Sequence, residues 1–327
     1  MRRFASLLLL AAVPMLANAQ PAVEAVKHKD RIEFKVGGRT ITNYWFAGFS
    51  KPIFWPLMSP NDASLTRAWP MKKGEPNETT DHPHQKSAWF THGDIIPKGM
   101  ELTQKIKGVE GVDFWSENTG HGKIVCVEVG EPKQQGNRIT VTTKNEWRTG
   151  DGKKIMDETR SVTFVDLGGA YLIIVDSDLF GSVTELVFGD TKEGSFGIRI
   201  NDVLAGKNGK GKLQNAEGKI GEKEVWGFKS DWCDYSGPID GKVAGLAILA
   251  DPKNPHPTCW HARGYGLMAA NPFGRAKSGF PEMKGRTDLV TLPKGEHLAF
   301  RYGLLLHEGD AEKGRVSDHF KTFAARR

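Results

Sequence analysis

Cysteine is scarce in this chain: Cys126, Cys233 and Cys259 are its only three among 327 residues. That excludes a disulfide framework as the source of stability and leaves room for one bridge in an oxidising compartment, for which Cys233 with Cys259 is the expected pair. Long apolar runs are also missing. The run Leu8 to Val13 falls far short of the roughly 20 residues that span a bilayer, and no later stretch comes close, so no transmembrane helix is expected. Nor is there a surplus of one charge. Lys and Arg number 45 against 39 Asp and Glu, for a formal charge of +6, or +4 once Arg2 and Arg3 are set aside with residues 1–19. Lysines gather only between Lys207 and Lys223, where they alternate with Gly and Asn without the aromatic spacing that stacks bases. That stretch reads as a solvated hairpin loop, and no nucleic-acid partner is expected. The chain has no Gly-x-Ser-x-Gly elbow, no phosphate-binding Gly-Lys-Ser/Thr loop and no His-Glu-x-x-His helix.

What is present begins with a targeting signal. Arg2 and Arg3, the apolar run and the small-residue site Ala17-Asn18-Ala19 make a cleavable secretory signal over residues 1–19, so a secreted or periplasmic protein beginning at Gln20 is expected. Asn77-Glu78-Thr79 matches a glycosylation acceptor, which matters only in a eukaryotic secretory pathway. Apolar content of 39% with nine tryptophans suffices for a substantial core. Residues 20–327 carry no Pro- or Ser-rich linker and read as a single domain.

Alternation of apolar and polar residues predicts strands at 32–36, 124–129, 139–143, 161–165, 171–175, 196–200, 243–249 and 298–306, separated by Gly, Pro, Asn and Asp, with a hairpin turn at Gly37-Gly38. Only the end looks helical: Val316, Phe320 and Phe323 fall on one helix face behind a capping Asp310. The expectation is an all-β fold, a large antiparallel β-sandwich with a short C-terminal helix.

Three segments concentrate chemistry. In Asp81-His82-Pro83-His84 an extended backbone points both imidazoles the same way, toward a substrate oxygen or a metal ion, with His92 nearby. In 189–200, Glu193 is an acid/base candidate beside Lys192, and alternation turns Arg199 away from the core face formed by Phe196, Ile198 and Ile200. A surface salt bridge is the competing account of Glu193 and Arg199. In 251–266, His261 and Arg263 share the face opposite Trp260 and Ala262, and Asn271 follows. Trp232 and Asp234 join them, because aromatic rings beside carboxylates suit a sugar, although tryptophans also build cores.

Asp-His-Pro-His at 81–84, His-Gly-Asp at 92–94, Asp-Phe-Trp at 113–115, Thr-Lys-Glu-Gly-x-Phe-Gly-Ile-Arg at 191–199 and Trp-His-x-Arg-x-Tyr-Gly at 260–266, in this order, resemble the PmoA-like family of unknown function, DUF6807. The chain departs from the resemblance at Gln85, where many members carry His, and at Ser87, where many carry Gly. The resemblance implies an exported bacterial protein in a carbohydrate setting. It does not carry methane oxidation, since the subunit behind the name spans a membrane many times. By fold-level analogy the sandwich would be the super-sandwich of aldose mutarotases, with a histidine acid and a carboxylate base flanking a sugar. On that analogy His82, His84, Glu193 and His261 are the expected catalytic groups. Asp81, Lys192, Arg199, Trp232, Asp234, Arg263 and Asn271 are then the expected substrate contacts. The substrate is a sugar or glycoside, and the reaction epimerisation, elimination or hydrolysis. A non-catalytic glycan-binding module is the alternative. No cofactor is expected, with a divalent metal on His82, His84 and His261 as a third possibility.

Overall fold

Short runs in which every second side chain is apolar build three antiparallel sheets in a computed structural model that describes residues 22–76, 78–205 and 209–325. Residues 1–19, where a signal is expected, Asn77 of the acceptor triplet and Lys207 lie outside the described residues. The first sheet has eight strands in the order β1 (Val23–Lys27), β2 (Arg31–Val36), β3 (Arg39–Trp45), β4 (Ile53–Leu57), β5 (Ala88–His92), β13 (Gly194–Arg199), β18 (Leu267–Asn271) and β17 (Cys259–Ala262). The second runs β14 (Lys212–Asn215), β15 (Trp232–Ile239), β16 (Lys242–Ala250), β20 (His297–Glu308), β11 (Ala170–Phe180), β10 (Lys154–Asp166), β9 (Arg138–Arg148) and β7 (Lys123–Val129), with β8 (Lys133–Gln135) beside β9. A small third sheet joins β19 (Val290–Leu292), β12 (Leu186–Phe188) and β6 (Ile95–Pro97). Each expected strand lies within or overlaps one of these. The fold is all-β and antiparallel, with α1 (Glu222–Val225) and the terminal α2 (Val316–Ala325) as its two α-helices among the described residues.

The two large sheets share one core. Ring pairs cross between them: Phe34 stacks on Phe164 at 5.4 Å and Phe196 on Tyr302 at 5.4 Å, while Phe90 meets Trp147 edge to face at 6.3 Å. A charged pair is sealed into this core. Arg160 and Glu158 are both fully buried and bonded at 2.7 Å, and Glu158 also accepts from Asn145, Trp147 and Ser177. Those bonds satisfy a carboxylate that burial would otherwise penalise heavily. Cys233 is buried in the inter-sheet core and Cys259 beside Phe280 and Met283 on the other side of the first sheet. Both are free, so the expected bridge is not made.

The C-terminal helix packs as its periodicity requires. Val316 and Phe323 are buried and Phe320 half-buried against Leu172, Leu249 and Trp232 on the outer face of the nine-stranded sheet. Asp310 stands a turn ahead of it: its carboxylate accepts the Lys313 N–H at 2.9 Å and its carbonyl the Gly314 N–H, closing a turn that leads to Val316. No helix among the described residues is long and apolar enough to cross a membrane.

Candidate functional site

Strand alternation sends Phe90, Phe196, Ile198, Trp260, Ala262 and Met268 into the core and the residues between them onto the outer face of the eight-stranded sheet. There the register lines up Trp89, Gly197, Ala269 and His261 in one row across β5, β13, β18 and β17. Gly197 has no room for a side chain: a Cβ would lie 2.9 Å from ring atoms of both Trp89 and Trp115. Those two indoles pack edge to face at 5.0 Å above it and form the floor of the site. Partly buried Trp45, Phe49, Trp55, Met71 and Tyr265 surround this floor.

Tyr265 gathers the sequence candidates. His82 stacks parallel on its ring at 5.2 Å, the Arg199 guanidinium lies 4.8 Å from the ring centre and that of Arg263 5.9 Å. His84 meets His82 edge to face at 5.7 Å. The histidine segment is a turn and not the extended chain expected of it. His82 adopts a φ of 43° and its carbonyl accepts the Gln85 N–H, which folds the backbone so that neighbouring imidazoles touch. Ser87 and Glu117, both at φ 53°, share that left-handed backbone, so three of the six described non-glycine residues with positive φ surround this face. Such conformations cost of order 1–3 kcal/mol each and cluster where function holds them.

Arg199 projects outward, as alternation requires, and both of its terminal nitrogens are already engaged, while its Nε–H has no partner among the described residues. Those terminal nitrogens donate to Gln85 at 2.7 Å, to Asp81 at 2.9 Å and to Thr79 at 3.2 Å. Asp81 also accepts from the buried Arg67 and pairs with His82 at 2.9 Å. Although burial works to raise it, Arg67 and Arg199 hold the Asp81 carboxyl down at about 2. Asp81 and Arg199 therefore anchor the histidine turn to the sheet. Arg263, half-buried, pairs with Glu222 at 2.9 Å.

Beside His84 lies a second charged group. Lys51, only 1% exposed, pairs with Glu117 at 2.8 Å, donates to the Trp115 carbonyl at 3.1 Å and lies 5.5 Å from the centre of Trp89. Lys86 pairs with the other Glu117 oxygen. Burial pushes Lys51 down to about 8 against the pull of Glu117, while the two lysines overcome burial and hold Glu117 at about 2. Burial pushes both His84 and His261 down to about 3, so both are neutral imidazoles at pH 7. Glu193 shifts the opposite way. Burial raises its carboxyl, opposed by Lys192, and Asp113, His82 and Arg263 also act on it. No hydrogen bond or ion pair to another described residue occupies that carboxylate.

The remaining expected residues take other places. Trp232 and Asp234 lie on β15 in the nine-stranded sheet: Trp232 packs beneath α2, and Asp234 is buried with His307 at 2.8 Å. The hydrogen-bonded partners of β15 are β14 and β16, so both residues belong to the opposite sheet from the site. His92 is buried, bonds the Gly189 carbonyl at 2.9 Å and packs on Phe273 instead of joining His82. Asn271 donates to the Thr191 and Lys192 carbonyls and accepts from the Phe273 and Gly274 amides, which fixes the loop carrying exposed Lys192 and half-buried Glu193. Lys51, Lys86, Glu117, Trp89, Trp115 and Tyr265 complete the face without having been singled out by sequence. Tyr265, Trp115 and Lys86 stand inside or beside the quoted motifs, whereas Lys51 and Glu117 leave no local signal. Among the described residues no group of three or more His, Cys, Asp or Glu is arranged to hold a metal ion.

Open grooves lie elsewhere among the described residues. One of about 520 Å³ is lined by Lys219, Lys223, Glu224, Phe228, Lys229 and Glu282, and one of about 350 Å³ by Ser230, Asp231, Asp251, Asn254, His256 and Thr258. Neither brings together imidazoles, guanidinium groups and an unpaired carboxylate, so convergent chemistry and not concavity locates the candidate site.

The chain is similar in fold to a galactose 1-epimerase from Lactobacillus acidophilus NCFM, with 10% identity and a TM-score of 0.41 over 88% of this chain and 99% of that one. A galactose mutarotase-like protein from Clostridium acetobutylicum gives 10% identity and a TM-score of 0.40 over 88% and 99%. A GH36 α-galactosidase from Geobacillus stearothermophilus gives 7% identity and 0.44 over 90% of this chain but 42% of that one. Among curated proteins, none matches the sequence. A family model does match, over residues 31–321, and the chain belongs to the family of unknown function DUF6807.

Proposed function

We propose that this protein works outside the cytoplasm and performs acid/base chemistry on a sugar or glycoside bound at the outer face of the eight-stranded sheet. The observation that carries the proposal is Glu193: a half-buried carboxyl, raised by burial and free of any hydrogen bond to another described residue, beside His82, Arg263 and Tyr265. A carboxyl with these properties moves toward working pH, where it both takes and gives a proton. Around it stand the groups a sugar needs. Tyr265 and the aromatic rim offer flat faces for C–H surfaces, Arg263 and Lys192 offer donors to hydroxyl oxygens, and the neutral rings of His84 and His261 can donate an N–H without carrying charge. Arg199, Asp81 and Asn271 position these groups. The signal segment at 1–19 motivates the extracytoplasmic setting.

On this reading Glu193→Gln keeps the shape of the site and removes the proton carrier. Turnover of a responsive sugar should fall by about 10²–10⁴-fold with binding changed little. A non-catalytic glycan-binding module is the second reading, favoured by the open aromatic rim and by the engagement of both terminal nitrogens of Arg199 with Gln85, Asp81 and Thr79. It requires Glu193→Gln to bind normally, with no turnover in either form.

A further inference from the structure

The corner formed by Lys51, Lys86 and Glu117 is not used by the acid/base chemistry, and its hydrogen-bonding capacity is one-sided. Two ammonium groups share one carboxylate. Lys51 bonds Glu117 and the Trp115 carbonyl and is buried against Trp89. Among the described residues Lys86 bonds only Glu117, so two of its three N–H donors have no acceptor there, and its side chain keeps 11% exposure. The indole N–H groups of Trp89 and Trp115, in side chains 0% and 1% exposed, also have no partner among the described residues. Two of the nearby carboxylates are already engaged. Asp113 receives the Trp115 and Ser116 amides and the Ser116 hydroxyl, and Asp81 receives Arg67, Arg199 and His82. His84 reports the field: burial, then the repulsion of Lys51, keeps it neutral against the opposing pull of Glu117. Unfilled donors on an ammonium that keeps some exposure call for a ligand rich in negative oxygen.

We propose that the sugar bound on this face is an acidic one, with its anionic oxygen group seated against Lys86 beside His84. This rests on the reading of the face as a sugar site and adds the substrate class. An ammonium is a point charge without the planar fork of a guanidinium, so it accepts a carboxylate or a sulfate ester equally. The two sources are separated by experiment.

Calorimetric titration of the purified protein with galactose, galacturonate and galactose 6-sulfate, and with glucose, glucuronate and glucose 6-sulfate, tests the idea. At least one acidic member should bind about tenfold or more tightly than its neutral counterpart, and that ratio should shrink with added salt. Tighter binding of the uronate alone identifies a carboxylate, and of the sulfate alone a sulfate ester. Lys86→Met should bring the ratio close to one and Lys86→Arg should retain it; if Lys86→Met does not fold, the salt dependence of the unaltered protein and Lys86→Arg carry the test. Equal affinity for neutral and acidic members overturns the acidic class and leaves the sugar reading standing. Binding of neither kind overturns both.

Discussion

Gly197 shows how much of the site depends on a single missing side chain. It faces outward on β13 between two indoles, and an added methyl would sit 2.9 Å from each. Contacts that close force the Trp89–Trp115 pair apart, so Gly197→Ala should cost about 1–3 kcal/mol and shift tryptophan fluorescence. Denaturant titration with intrinsic fluorescence reads both effects, and an unchanged midpoint with an unchanged spectrum would contradict a tightly packed Trp89–Trp115 floor. Glu193 is the complementary case, a residue whose surroundings leave it unpaired. The test by Glu193→Gln belongs at this scale because the proposed chemistry rests on one proton-carrying oxygen pair. Position 193 was open to sequence reasoning through its motif. Lys51 and Glu117 were not, because a lysine in a loop before β4 and a glutamate after Trp115 look like ordinary surface charge until the fold buries them together.

Individual strands present their faces as their alternation requires, and the helix does too. α2 carries Val316 and Phe323 on one side and closes the outer face of the nine-stranded sheet over Leu172, Leu249 and Trp232. Phe323→Ala opens a cavity in that small cluster and should cost about 3 kcal/mol by denaturant titration, with no effect on sugar binding at the opposite sheet. A loss of binding equal to the loss of stability would show that the two sheets do not act independently. The histidine turn illustrates the limit of element-level reading. An extended Asp81-His82-Pro83-His84 was expected to aim both rings in one direction; the turn at His82 brings them together by a different route, held by Arg67 and Arg199. Trp232 and Asp234 are grouped with the site by sequence because aromatic rings beside carboxylates suit a sugar, but β15 builds the opposite sheet.

Across the whole molecule, buried imidazoles set an acid limit. Burial lowers His84 and His261 to about 3 and His92 to about 4, so the folded state holds all three neutral while the unfolded chain protonates them below its usual value near 6.5. The unfolded state therefore binds more protons as pH falls from about 6.5 toward 4, each group adding about 1.4 kcal/mol per pH unit to the slope. Their stabilising contribution is present above the unfolded value and lost below it. Glu193 and Asp94, raised by burial, offset part of this because the folded state takes up their protons first. His307 has the opposite sign. Asp234 raises it despite burial, so its contribution is present below about pH 6.5 and lost on the alkaline side. Burial also lowers His256 and His319 and raises Asp231, so five imidazoles stand against three carboxyls, and the denaturant midpoint should fall between pH 6.5 and 5. In His84→Gln the fall should be shallower by about one proton. A midpoint that rises over this range would mean that these imidazoles are charged in the folded protein.

Sequence by itself determined the class of structure and the facing of residues within each strand: Arg199 opposite Phe196 and Ile198, His261 opposite Trp260, and the apolar stripe of α2. These are local consequences of a two-residue repeat in strands and a 3.6-residue repeat in helices. It also carried the family, through motifs spread along the chain in order. Only the tertiary structure decided which strands became neighbours. β13 lies between β5 and β18, so Trp89, Gly197, Ala269 and His261 form one row although they are far apart in the chain, and Trp232 and Asp234 are carried to the other sheet. Alternation selects a face, but the partner across that face is chosen by shared burial and hydrogen-bond register over the whole chain, which no local pattern encodes.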